Sequence, residues 1–187
     1  MNLYAALSEQ FGPEDAVAIE TADTPGGNAG EHVPLHYTWR DLERASAMIA
    51  NLLASLDLEP GARVAVHADK SVENLLLYLA VLRAGFVYLP LNSAYQAAEL
   101  EYFIGNAEPA VVVCADRNFD AISRIAFAAC PTSHVFTLDD DRSGSLLDRA
   151  ALMSDRHEVA QRSDDDLAAI LYTSGTTGRS KGAMLSH

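Results

Sequence analysis

Apolar residues first recur at a helical period between residues 38 and 56, where Leu42, Ala45, Ile49, Leu52, Leu53 and Leu56 fall on one face. Thr38 stands where an N-cap belongs, and Pro60 and Gly61 stop the pattern. Residues 63–67 (RVAVH) read as a short strand. Residues 70–84 read as a second helix, capped by Asp69 or Ser71 and ended by Gly85. Its run from Leu75 to Leu82 is apolar on nearly every side, which predicts a buried helix.

The same alternation continues down the chain. A strand is predicted over 86–91, a helix over 97–106 with Leu100, Phe103 and Ile104 inward, and a strand over 110–114. The Val111, Val112, Val113 run lacks polar alternation, as a strand covered on both faces does. A helix over 118–129 and a strand over 133–138 follow. The polar stretch 139–166 predicts surface turns with one short helix near 146–152, and 167–172 is a last apolar strand. Residues 23–30 (DTPGGNAG) read as a turn or loop. Repeated strand–helix alternation predicts an α/β fold with a largely parallel sheet flanked by helices.

Composition narrows the function classes. The 187 residues are 49% hydrophobic, enough for one substantial core or two small ones. A formal net charge of −13 repels phosphate backbones and anionic membranes, so neither nucleic acid nor membrane is an expected partner. An anionic substrate must then be met by a local site. Lys70 and Lys181 are the two lysines among thirteen basic residues. Cys114 and Cys130 belong to no metal-binding spacing and read as buried free thiols, which suits a reducing cytoplasm. His32, His36, His67, His134 and His157 show no metal-ligand spacing either. No signal peptide is expected at the N-terminus, and no apolar run approaches the ~20 residues of a membrane span.

Candidate chemistry lies where the last strand ends. Thr173, Ser174, Gly175, Thr176, Thr177, Gly178, Arg179, Ser180, Lys181 and Gly182 form a hydroxyl- and glycine-rich stretch carrying one lysine. Glycines let backbone amides approach an anion closely, hydroxyls add donors, and the ammonium group adds a mobile point charge. The Walker A pattern does not fit, because Gly178 follows Gly175 too soon and Gly182 stands where that motif needs a hydroxyl residue. No dinucleotide-binding glycine fingerprint is present. Composition alone leaves open a solvated surface loop.

The order of residues carries more. YTSGTTGRSKG, from Tyr172 to Gly182, resembles the signature loop of the adenylate-forming family of acyl-CoA synthetases, luciferases and peptide-synthetase adenylation domains. The stretch LHYTWRDL (35–42) resembles that family's T-Y-x-E-L element. LRAGFVYLPLN (82–92) resembles its K-A-G-x-A-Y-x-P-L-[DN] element, and the Glu99–Leu100 pair also fits. Ser180 departs from the proline the family usually carries before the loop lysine, which leaves the turn less rigid; Arg40 and Asp41 replace the commoner pair in the first element.

The resemblance implies a reaction and roles. A carboxylate oxygen attacks the α-phosphorus of ATP, giving an acyl-adenylate and pyrophosphate; coenzyme A then displaces AMP to form a thioester. It implies that 173–181 hold the β- and γ-phosphates, that Lys181 acts catalytically on the departing phosphates, and that Thr173 contacts Mg²⁺. His187 is expected on a helix after the loop in a structural role. The likeness is strongest to bacterial malonyl-CoA synthetases, which implies malonate as the carboxylate. Residues 1–187 then correspond to the N-terminal part of a large domain whose adenine and acyl pockets lie downstream, so the fragment alone is not expected to complete the reaction. A carrier-protein adenylation domain and a non-catalytic ATP-binding module are the alternatives.

Overall fold

The computed structural model describes residues 1–21, 24–25, 32–173 and 180–187. Helix α1 (Leu3–Ser8) opens the chain, and strand β1 (Val17–Glu20) follows. Strands β2 (Thr24–Pro25) and β3 (His32–Val33) pair with each other, and β4 (His36–Thr38) pairs antiparallel with β1. Helix α2 (Trp39–Ala54), strand β5 (Arg63–His67), helix α3 (Val72–Arg83), strand β6 (Val87–Pro90) and helix α4 (Ala97–Ala107) come next. Strand β7 (Val111–Cys114), a single 3₁₀ turn (Asp116–Asn118), helix α5 (Phe119–Ala129), strand β8 (His134–Thr137), helix α6 (Ser145–Ala150), strand β9 (Leu167–Thr173) and strand β10 (Lys181–Ser186) complete it.

The described residues build a six-stranded sheet in the order β10-β9-β6-β5-β7-β8. Five strands run parallel, and β10 alone runs antiparallel, against β9. Parallel pairing needs crossovers, and α3, α4 and α5 supply them. Alternate residues of β5 feed opposite cores. Val64 and Val66 join the layer with α2 and α3, whereas Ala65 joins the layer with α4 and α5. All four residues of β7 are buried, as the missing polar alternation predicted.

Local chemistry explains the element ends. Thr38 caps α2 through a box in which its hydroxyl accepts from the Asp41 amide at 3.2 Å and its own amide donates to Asp41 Oδ2 at 2.8 Å. The Thr38 amide, and with it the Thr38 hydroxyl at 2.7 Å, donate to Asp41 Oδ2 and hold that carboxyl below its ordinary value. Ser71 caps α3 by accepting from the Asn74 amide. Gly85 ends α3 in the left-handed region at φ 74°, and the Phe86 amide reaches back to the Val81 carbonyl at 2.9 Å. The side chain of Asn2 caps the same end by donating to the Leu82 carbonyl at 2.9 Å.

Arg83 fastens three segments at once. Its buried guanidinium donates to Tyr4 Oη, to the Glu43 carbonyl and to the His157 carbonyl, and pairs with the Glu43 carboxylate at 2.8 Å. The chain from α1, the start of α2 and the 155–160 segment are thus tied to the end of α3. Burial, together with the Tyr4 hydrogen bond to Glu43, pushes the Tyr4 phenol up to about 12.

Several expectations change. Leu75 of the apolar α3 run is 42% exposed, because the helix turns one side away from the sheet. Residues 181–186, expected to lead into a helix, form β10 instead. Cys130 is only half-buried, while Cys114 is fully buried. Thr24 and Pro25 of the predicted 23–30 loop pair with β3; residues 23 and 26–30 lie outside the described residues.

Two tests follow from this packing. A methyl group at Gly85 would lie 2.8 Å from Arg162 Nε, whose guanidinium donates twice to the Gly85 carbonyl, and would meet a left-handed backbone. Gly85→Ala is therefore expected to lower unfolding free energy by about 1–2 kcal/mol or more, checked by urea denaturation. The Cys130 thiol is lowered, chiefly by its hydrogen bond with Thr132, whereas burial pushes Cys114 up to about 12. A thiol reagent should label Cys130 alone in the native protein and both cysteines in denaturant, read by mass spectrometry.

Candidate functional site

The parallel strands β5, β6, β7, β8 and β9 all point their carboxyl ends to one edge of the sheet, where open α/β sheets bind ligands. Strand β9 runs further than its neighbour. Thr173 lies four residues past Ala169, whereas Pro90 ends β6 only two past Ala169's partner Tyr88. The β9–β10 hairpin therefore projects beyond the sheet. Thr173 and Lys181 are exposed there, and β10, the edge strand, is exposed along its whole length.

The hairpin register sets the site. Thr173 faces Lys181, Tyr172 faces Gly182 and Leu171 faces Ala183. Among the described residues the Thr173 hydroxyl makes one contact, a long 3.5 Å one to the Lys181 carbonyl. Both Thr173 and Lys181 are exposed. Ser180 is half-buried, and Ser174, Gly175, Thr176, Thr177, Gly178 and Arg179 lie outside the described residues. Of the predicted phosphate-binding set, Thr173 and Lys181 are thus brought face to face, with Ser180 next to them.

Helix α4 supports both hairpin strands, a role the linear sequence did not reveal. Tyr102 Oη donates to the Ser180 carbonyl at 3.0 Å. Tyr172 Oη donates to Asn106 Oδ1 at 2.7 Å. Between them the Phe103 ring packs on Tyr172 at 4.4 Å, and Tyr102 meets both rings edge-on. Burial raises the Tyr172 phenol above its ordinary value. Gly182 keeps the strands close, since a methyl group there would stand 3.0 Å from Ile170 Cγ2. The spacing of Tyr102, Phe103 and Asn106 on one helical face was a visible signal, but their partners lie 66 and 78 residues away.

His187 sits at the opposite end of the hairpin, away from Lys181. Its backbone amide donates to the Asp166 carbonyl at 3.0 Å, and its Nδ1 accepts from the Leu3 amide at 3.1 Å. That places Nδ1 as acceptor and gives the ring's proton to Nε2, which is buried without a partner among the described residues. The imidazole thus joins β10 to α1, a structural role. Burial, and then the nearby Arg162 charge, lower its proton affinity.

Five parallel strands covered by helices on both faces, with one antiparallel strand at the edge, define a protein of the open α/β-sheet class among the described residues. The chain belongs to the AMP-binding enzyme family, whose model matches residues 13–187. It is similar to MatB from Rhodopseudomonas palustris, in an ATP-bound crystal structure, at 48% identity and a TM-score of 0.86. That match covers 99% of this chain and 34% of MatB. Tyrocidine synthase 1 of Brevibacillus parabrevis is 29% identical over 80% of this chain and 13% of its own length. An acyl-CoA synthetase from Brucella canis, at 23% identity and a TM-score of 0.83, shares the fold. The chain spans about a third of the MatB polypeptide.

The neutral ring of His187 fixes the sign of a pH effect. The folded state disfavours its proton, so the unfolded chain binds more protons below the ordinary value of 6.5, and stability falls as pH falls through that range. His187→Leu should cost about 1 kcal/mol at neutral pH, flatten the stability profile between neutral and mildly acid pH, and leave ATP kinetics unchanged. Reduced ATP turnover at unchanged stability would contradict the structural role.

Proposed function

We propose that residues 1–187 are the N-terminal part of the large domain of an AMP-forming acyl-CoA synthetase that activates a small carboxylate, malonate, with ATP and coenzyme A. The observation that carries the reading is the face-to-face placing of Thr173 and Lys181 at the carboxyl edge, at the two flanks of the glycine- and hydroxyl-rich segment. Family membership and the likeness to MatB support it.

In this reading the carboxylate oxygen bonds to the α-phosphorus as the bond to pyrophosphate breaks, and coenzyme A sulfur then replaces AMP on the acyl carbon. Residues 173–181 hold the departing β- and γ-phosphates. The Lys181 ammonium, exposed at the hairpin tip, offsets negative charge that grows on pyrophosphate as the bond breaks. The overall negative charge of the chain makes that local cation matter more, because no long-range attraction draws ATP in.

Thr173 offers a hard hydroxyl oxygen whose one contact among the described residues is a long 3.5 Å, which fits a Mg²⁺ ligand. Among the described residues no group of three or more His, Cys, Asp or Glu side chains could hold a metal. Bound there, the ion would neutralise charge on the phosphates. Among the described residues no helix is long and apolar enough to cross a membrane.

A second reading, an adenylation domain that loads a carrier protein, draws on the match to tyrocidine synthase 1. The higher identity to MatB over nearly the whole chain favours coenzyme A. In the full-length enzyme, Lys181→Ala is expected to slow carboxylate-dependent pyrophosphate release about 10- to 100-fold and to raise the KM for ATP. A panel of mono- and dicarboxylates should give the highest rate with malonate. Unchanged ATP kinetics in the variant would remove the role of Lys181, and a preferred substrate loaded only onto a carrier protein would favour the second reading.

A further inference from the structure

Ser180 occupies the position directly before Lys181, and the hairpin leaves Lys181 exposed and projecting past the sheet. A long flexible side chain there is useful only if its backbone is held still, because otherwise its freedom must be lost when ligand binds. A proline at 180 would fix φ; serine does not. The chain instead ties this point from outside. The Tyr102 hydroxyl donates to the Ser180 carbonyl, and the Tyr102 ring is itself braced against Phe103 and Tyr172. On the other flank Asn106, one helical turn along α4, receives the Tyr172 hydroxyl, one residue before Thr173.

We propose that Tyr102 is a positioning residue for ATP: its hydroxyl bond to Ser180 sets where Lys181 stands relative to Thr173, doing with a hydrogen bond what a proline ring would do covalently. The role rests on the phosphate-binding reading above. Helix α4, through Tyr102 and Asn106, then sets the separation of the two flanks before ligand arrives. The effect falls on the triphosphate and not on the carboxylate, because the strut touches only the hairpin.

The test uses the full-length enzyme with Tyr102→Phe, which removes one oxygen and keeps the ring. Two measurements separate the strut from its function. Hydrogen–deuterium exchange without nucleotide should be faster for amides of 181–186 and unchanged in β5 and α3; equal exchange in both proteins overturns the strut. Pyrophosphate release should show a KM for ATP raised about 3- to 10-fold, the worth of one hydrogen bond, with the KM for the carboxylate unchanged. Adding Ser180→Pro to Tyr102→Phe should restore the ATP KM, which a merely structural loss of stability would not permit. Faster exchange with an unchanged ATP KM overturns the positioning role alone. A wild-type enzyme that releases no pyrophosphate overturns the adenylation reading, and the positioning role with it, while the exchange result still decides the strut.

Discussion

The antiparallel pairing of β9 with β10 is the constraint from which the site derives. Every other strand of the sheet is parallel, so without this return strand the residues after Thr173 would leave the sheet edge and not come back. Register does the rest. Because Thr173 pairs with Lys181, a threonine and a lysine become cross-strand neighbours although eight positions separate them in sequence. A one-residue slip would turn every side chain of β10 to the other face and separate the two groups.

That pairing is supported from behind by α4 and from below by the sheet. The two cores divide the labour. The layer with α2 and α3, fastened by Arg83, carries most of the large buried side chains, and the layer with α4 and α5 carries Phe103 and Ile104 up to the base of the hairpin. The projecting hairpin gains few apolar contacts of its own, which is why the aromatic set of Tyr102, Phe103 and Tyr172 matters to it.

Much of this was legible in the residues. Thr38 with Asp41, Ser71 with Asn74, and Gly85 after α3 fixed helix ends, because capping and left-handed turns are local chemistry. The continuous valines of β7 announced a strand covered on both faces. Strands β1 and β4 were not legible, since each is short and its partner lies some twenty residues away. Strand β10 was missed because Lys181, Gly182 and Ala183 carry little strand preference; the pairing with β9, not propensity, makes it a strand. The bracing by Tyr102 and Asn106 depends on contacts across 78 and 66 positions that no local pattern encodes.

A crystal structure of the full-length protein with a non-hydrolysable ATP analogue and Mg²⁺ would decide the matter. The β- and γ-phosphate oxygens should lie within hydrogen-bond reach of Lys181 Nζ, with the Thr173 hydroxyl turned toward the phosphates and their cation. A triphosphate bound elsewhere, with the hairpin tip facing solvent alone, would contradict the phosphate-binding role.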